Sequence, residues 1–94
     1  MRIKDLEFKV HPAGLDGFQA IVKFPNGYSA SVLTGSLFYT NNESPYEIGI
    51  LNHKGGLDYN TGIEEGDAVI GYLTEEEANE VLAKIEALPA SKDK

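Results

Sequence analysis

The stretch Gly17–Gly35, GFQAIVKFPNGYSASVLTG, decides the fold because two runs of alternating apolar and polar residues flank a Pro-Asn-Gly turn. Alternation with a period of two predicts β-strands, and the turn joins them as a hairpin. A loop of only Asn26 and Gly27 would set the apolar face of the first strand against serines. A three-residue loop with Pro25 first and Gly27 left-handed keeps apolar residues opposite one another. We therefore predict the pairs Phe24–Tyr28, Val22–Ala30 and Ala20–Val32.

Shorter runs on both sides of the hairpin predict further strands. Lys4–Val10, KDLEFKV, alternates so that Leu6 and Phe8 share one face. Tyr46–Asn52, YEIGILN, predicts a third core strand, followed by HKGG as a turn and LDY as a short return strand. The apolar run AVIGYL, at 68–73, is typical of a strand or of the buried approach to a helix, and the sequence leaves both open.

A helix is predicted at Thr74–Leu88, TEEEANEVLAKIEAL. Thr74 and Glu77 form a capping box, and glutamates in the first turn complement the helix dipole. Apolar residues follow at helical spacing, and Pro89 marks the end. The apolar positions are Ala78, Val81, Leu82, Ile85 and Leu88.

Together these segments predict a single α+β domain over 1–94, in which an antiparallel sheet of four or five strands carries one C-terminal amphipathic helix on a face. Residues 1–17 are the N-terminal strand and turn, 74–88 the helix and 90–94 a frayed tail. The sequence leaves open whether 1–17 join the sheet. The helix is expected to pack Val81, Leu82 and Ile85 against Val22, Val32 and Ile48.

Composition and charge exclude several classes of function. With 41% hydrophobic and 24% charged residues, the chain is typical of soluble globular proteins. It has no cysteine, which excludes disulfides and thiolate metal sites and suits a reducing cytoplasm. The net charge of −7 argues against direct nucleic-acid binding, which depends on Lys and Arg neutralising phosphates. No apolar run is long enough for a membrane span or a signal peptide, so no membrane association is expected.

Negative charge is concentrated in one segment, because no Lys or Arg occurs from Gly55 to Ala83. Such a segment can be a solvated face, and the helix dipole alone explains Glu75–Glu77. It can also be a surface that docks into a basic cleft of another protein. The residues expected to bind that partner are Asp58, Glu64, Glu65, Asp67, Glu76 and Glu80.

The stretch Asn52–Asp67, NHKGGLDYNTGIEEGD, holds a histidine, a lysine beside two glycines, and four carboxylates. It indicates first a series of turns between strands. An alternative hypothesis is a small anion or nucleotide site built from His53, Lys54 and Tyr59, because glycine amides beside a lysine can face a phosphate. The stretch lacks the spacing of a P-loop and the ligand pattern of a calcium loop. We therefore predict no metal site and no cofactor.

No catalytic residues are predicted. The chain has no G-x-S-x-G or H-E-x-x-H motif and only two histidines, which lie far apart in the sequence. Catalysis needs a base, a nucleophile or a metal in convergent geometry. Carboxylates are abundant, but abundance does not bring them together, and we expect a protein that is not an enzyme.

Four segments together carry a family resemblance: NGYSASV, YEIGIL, LDYNTGI and VIGYLTEEEANEVLAKI. In this order the chain resembles small uncharacterised accessory proteins of tailed bacteriophages, which carry N-G-Y, Y-E and G-Y-L-T-E-E segments. Gly62 departs from the resemblance, because a residue such as proline would be expected there. The resemblance implies a protein acting in the cytoplasm of a bacterial host, and it supplies no catalytic residues.

These observations lead to a functional expectation. The chain is expected to be a non-enzymatic phage accessory protein that binds and inhibits a host protein, such as a defence system in the manner of an anti-CRISPR, through its acidic surface. Two alternatives stay open: a small-ligand or nucleotide-binding sponge, and a structural or assembly protein of the virion. Homo-oligomerisation is compatible with each.

Overall fold

The computed structural model describes residues 2–11, 17–35, 40–41, 43–63 and 67–90. Within these residues, a 3₁₀ turn is followed by five strands and one helix. Of the predicted tail at 90–94, residues 91–94 lie outside the described part of the chain. The elements are the 3₁₀ turn Ile3–Asp5, β1 Lys9–Val10, β2 Phe18–Lys23, β3 Ser29–Thr34, β4 Tyr46–Leu51, β5 Val69–Leu73 and α1 Glu75–Glu86.

The strands form one antiparallel sheet in the order β1-β2-β3-β4-β5, so that each strand pairs with its neighbours in sequence. The helix α1 packs on one face of this sheet, against β3, β4 and β5. The predicted α+β class is therefore confirmed, with five strands. The run AVIGYL, whose nature the sequence left open, contributes β5.

The predicted hairpin register is confirmed. Ala20 pairs with Val32 and Val22 with Ala30. The Phe24 N–H donates to the Tyr28 carbonyl at 2.9 Å, and Gly27 adopts a φ of 91°, which a glycine tolerates because it has no Cβ. The three-residue loop thus places the apolar residues of both strands on the face that meets the helix.

The N-terminal strand is shorter than the predicted Lys4–Val10. Residues Ile3–Asp5 form the 3₁₀ turn, and only Lys9–Val10 pair with β2. The cause is an anchor to the helix: Ile3 is buried, and its N–H donates to the Asn79 Oδ1 at 2.7 Å. The chain therefore crosses toward α1 before it reaches the sheet.

One hydrophobic core lies between the sheet and α1. All six side chains predicted to meet there belong to the same cluster of buried residues, namely Val22, Val32, Ile48, Val81, Leu82 and Ile85. Burial of side chains of this size stabilises the fold by about 1.5–3 kcal/mol each. The helix thus holds the central strands, while β1 and β2 extend toward a free edge.

Both ends of α1 are capped. The Glu77 N–H donates to the Thr74 Oγ1 at 3.2 Å and the Thr74 N–H to the Glu77 Oε1 at 3.0 Å, which is the predicted capping box. The helix ends at Glu86, slightly before the predicted Leu88. Its last carbonyls are bound by Asn26, whose Nδ2 donates to the carbonyls of Ile85, Glu86 and Leu88 at 2.9, 3.2 and 3.0 Å.

The helix is too short and too polar to cross a membrane, and the described residues contain no other α-helix.

Candidate functional site

The solvent side of α1 carries a row of exposed carboxylates. Apolar residues fill the opposite side of the helix, so Glu75, Glu76 and Glu80 point away from the core. Glu76 and Glu80 are four residues apart and therefore lie one above the other on the same helix face. We call Glu75, Glu76 and Glu80 the helix carboxylates.

Three other carboxylates of the segment hold local structure. The Asp58 Oδ1 accepts from the Asn60 N–H at 2.9 Å. The Asp67 Oδ1 accepts from the N–H groups of Ala68 and Val69 at 2.8 and 3.0 Å. Glu77 serves the capping box. These side chains have a structural role in turns and caps that the sequence reading did not assign to Asp58 and Asp67.

The fold places the predicted partner-binding residues at different ends of the molecule. The β2–β3 turn binds the C-terminal end of α1 through Asn26, and Ser29 beside that turn pairs with Leu51 at the end of β4. Asp58 and Asp67 lie in the connection that leaves this end of the sheet. The helix begins at the opposite end, about 18 Å away by the rise of an α-helix. Glu64 and Glu65 lie outside the described residues.

The predicted anion site around His53 is a hairpin whose amides are already engaged. The Asn52 Oδ1 accepts from the N–H groups of Lys54 and Gly56 at 2.9 and 3.1 Å, and the Asn52 carbonyl accepts from the Gly55 N–H at 2.9 Å. An anion nest needs such amides to point outward. Leu51 and Leu57 close the hairpin as an antiparallel bridge, which confirms the turn reading.

The side chains proposed for small-ligand binding are on the surface. His53 and Lys54 are exposed, and Tyr59 is 52% exposed. Exposed side chains around a closed hairpin do not enclose a ligand, whereas small-molecule sites are typically concave. A role of His53, Lys54 and Tyr59 in binding a nucleotide stays a prediction.

The described part of the chain brings no three His, Asp or Glu side chains together as a metal site. The carboxylates of α1 instead project into solvent along one side. This arrangement suits electrostatic contact with a large partner better than coordination of an ion.

Tyr46 packs against the core near the first turn of α1. Its ring lies 6.2 Å from the Phe8 ring, and burial raises the pKa of the Tyr46 phenol, with the charge of Glu75 as a second cause. The neutral phenol is thus favoured in the folded state. Because the folded pKa lies above the unfolded one, this contribution to stability is complete below pH 10.0 and is lost as the pH rises through the folded pKa.

Replacing Glu75 with glutamine is expected to lower the pKa of Tyr46, because it removes the nearby negative charge and leaves burial as the remaining cause. An NMR titration of the Tyr46 ring signals would measure the shift separately from the other four tyrosines. Glu76→Gln removes the same charge from the neighbouring position and serves as the control. Equal titration curves for the two variants would contradict the assignment.

The sequence reading missed features of the sheet face that α1 leaves uncovered. Ile21 is 51% exposed there, and Leu57, at 42% exposure, lies over Gly49 of β4. The available signal was an isoleucine at a position where the alternation predicts a polar residue, between Gln19 and Lys23.

Tyr72 was also missed. It has a φ of 55° beside the irregular pairing of β4 and β5, where a glycine would be expected.

Comparison with known proteins gives no relative from which a function could be transferred. No family model matches the chain, and no curated protein or solved structure matches it. The functional assignment therefore depends on the surfaces described above.

Proposed function

We propose that this protein is a non-enzymatic binding protein that docks the helix carboxylates into a basic cleft of a host protein and inhibits it. The observation that carries the proposal is the row of exposed carboxylates on α1, in a segment without Lys or Arg from Gly55 to Ala83. Charge of one sign on one surface steers association with a surface of the opposite sign.

The chemistry of the carboxylates favours a basic protein over a nucleic acid. A chain with a net charge of −7 is repelled by phosphates. A cleft lined by Lys and Arg that normally holds phosphates would instead attract carboxylates. The resemblance to phage accessory proteins supports a partner in the cytoplasm of a bacterial host, and a nucleic-acid-handling defence enzyme has such a cleft. An anti-CRISPR-like inhibitor is the form of the proposal that follows.

The helix carboxylates suit this role better than the other acidic residues. Asp58, Asp67 and Glu77 accept hydrogen bonds from neighbouring amides, so their orientation is set by the turns and the cap that they hold. Glu76 and Glu80 stand on a helix whose two ends are capped. A rigid scaffold loses little conformational entropy on binding, which favours affinity.

The test begins with an affinity pull-down of the tagged protein from bacterial lysate, washed at low and at high salt, with mass spectrometry of the retained proteins. Retention of one protein that is lost at high salt is expected, because exposed charge pairs are screened. The purified partner then allows titration with variants. A folded protein that retains no partner would contradict the proposal and favour the small-ligand or virion alternatives.

Reversing the charge of Glu76 and Glu80 together, as E76K/E80K, is expected to weaken binding by about tenfold or more, which corresponds to about 1.4 kcal/mol. The matched control is E7K/E43K, which reverses two exposed acidic residues outside α1 and outside the 3₁₀ turn that contacts it. Each reversal adds two charges, so both double variants change the net charge from −7 to −3. Equal weakening by both would mean that total charge, and not the helix face, determines binding.

A further inference from the structure

The direction of backbone hydrogen bonds in β2 identifies an open edge of the sheet. In an antiparallel pair, alternate residues direct their N–H and C=O groups to opposite sides of the strand. The Phe24 N–H donates to the Tyr28 carbonyl of the β2–β3 hairpin. The backbone N–H and C=O groups of Phe24, Val22 and Ala20 therefore face β3. Those of Gln19, Ile21 and Lys23 face the other side of the strand, where β1 lies.

The strand β1 covers only part of this side. It pairs Lys9 with Gln19 and Val10 with Phe18, and the chain that precedes Lys9 lies toward α1. Within the described residues, no backbone hydrogen bond joins Ile21 or Lys23 to a neighbour on this side. We call the stretch Ile21–Lys23 the open edge.

A groove lies where β1 would continue. Its volume is about 440 Å³, and Ile21, 51% exposed, forms one wall. The remaining lining is half apolar and half polar: Leu6, Val10 and Ala20 are apolar, and Glu7, Lys9 and Gln19 are polar or charged. A groove beside unbonded strand amides is complementary to an extended peptide backbone.

The opposite edge of the sheet differs. The Ile50 N–H donates to the Ala68 carbonyl, so the Val69 N–H points away from β4 at the outer edge of β5. That N–H already donates to the Asp67 Oδ1 at 3.0 Å, and the left-handed Tyr72 interrupts the strand further along. Edges blocked in this way resist pairing with another chain.

We propose that the open edge binds an extended segment of a partner protein, which adds to the sheet in line with β1. The segment would place an aliphatic side chain beside Ile21 and a carboxylate beside Lys23. Lys23 disfavours a second copy of this chain as the occupant, because each copy would bring a lysine to the shared edge. Glu7 faces the groove beside Lys9, so the carboxylate of the segment belongs at the Lys23 end. This site is separate from the helix carboxylates.

Amide hydrogen exchange of the unbound protein tests the premise without any ligand. The N–H groups of Ile21 and Lys23 are expected to exchange roughly 100-fold faster than those of Ala20 and Val22, which are bonded within the sheet. NMR resolves the four amides individually in the full chain. Slow exchange at Ile21 and Lys23 would show that the edge is already covered and would overturn the proposal. Protection that increases with protein concentration would also overturn it, in favour of self-association.

The binding itself can be tested with peptides selected on the protein from a displayed library of random nine-residue sequences. Selected peptides are expected to alternate aliphatic and polar residues, to contain Asp or Glu, and to protect the Ile21 and Lys23 amides when bound. Peptides that protect other amides instead, or no selected binder at all, would overturn the proposal.

Variants test whether the peptides bind the backbone of the open edge. Ile21→Pro removes the outward N–H without removing a bond of the sheet and is expected to weaken peptide binding by about tenfold beyond the control Ile21→Ala, which keeps the N–H. Lys23→Glu leaves every backbone group in place and is expected to weaken acidic peptides by about threefold. Unchanged affinity for a folded Ile21→Pro, or for Lys23→Glu if proline prevents folding, would overturn the proposal.

Discussion

Replacing Asn26 with aspartate is expected to lower the free energy of unfolding by about 2–3 kcal/mol. The Asn26 Nδ2 donates to the carbonyls of Ile85, Glu86 and Leu88 at the C-terminal end of α1, where the last carbonyls lack the N–H partners of the helix interior. The Ile85 carbonyl also accepts from the Leu88 N–H at 3.1 Å. Aspartate is nearly the same size but presents an oxygen to these carbonyls. It also places a negative charge at the negative end of the helix dipole. Urea unfolding at neutral pH would measure the loss.

The matched control is Asn52→Asp, because it makes the same chemical change in another turn. The Asn52 Oδ1 only accepts, from the N–H groups of Lys54 and Gly56, and a carboxylate accepts equally well. Its effect is expected to stay within about 0.5 kcal/mol. Equal losses in the two variants would mean that Asn26 acts through its turn and not through the helix.

The helix and the hairpin could be predicted because their determinants are local. The capping box lies within four consecutive residues, and the hairpin register follows from the length of one loop. The contact between Asn26 and Ile85 joins residues 59 positions apart, so no local pattern predicts it. The same holds for the N-terminus, where the contact of Ile3 with Asn79 accompanies a strand that begins at Lys9 and not at the predicted Lys4.

The candidate site could be predicted only in part, for a related reason. The sequence shows where carboxylates are dense but not which of them are already engaged. In the structure, Asp58 and Asp67 hold turns, whereas Glu76 and Glu80 remain on the solvent side of a capped helix. The open edge could not be predicted either, because the late start of β1 is associated with a contact between residues distant in sequence, Ile3 and Asn79.

The two layers of the molecule therefore present different chemistry to a partner. The helix side is rigid and carries the helix carboxylates before Lys84 in the last turn, and this concentration of negative charge suits long-range electrostatic attraction. The uncovered face and edge of the sheet carry exposed aliphatic residues and backbone amides, which suit short-range contact. A partner that uses both would bind with the charges setting its rate of association and the sheet edge its rate of dissociation.

Replacing Ile48 with alanine is expected to cost about 3–4 kcal/mol of the free energy of unfolding, the largest single effect predicted for this chain. Ile48 is 0% exposed, in the interior strand β4 between β3 and β5, and its side chain lies in the core beneath α1. A domain of this size is stable by roughly 5–14 kcal/mol, so the variant should fold but unfold at much lower urea concentration.

The matched control for Ile48→Ala is Ile21→Ala, the same change on the other face of the sheet. Ile21 is 51% exposed, so its truncation is expected to cost at most about 1 kcal/mol. Urea unfolding of both variants at two protein concentrations would compare the two faces directly. A cost at Ile21 as large as at Ile48 would mean that the outer face of the sheet is covered in solution. If that cost grew with protein concentration, a second copy of the chain would cover this face. That result would contradict the proposal that an acidic segment of a partner protein binds the open edge.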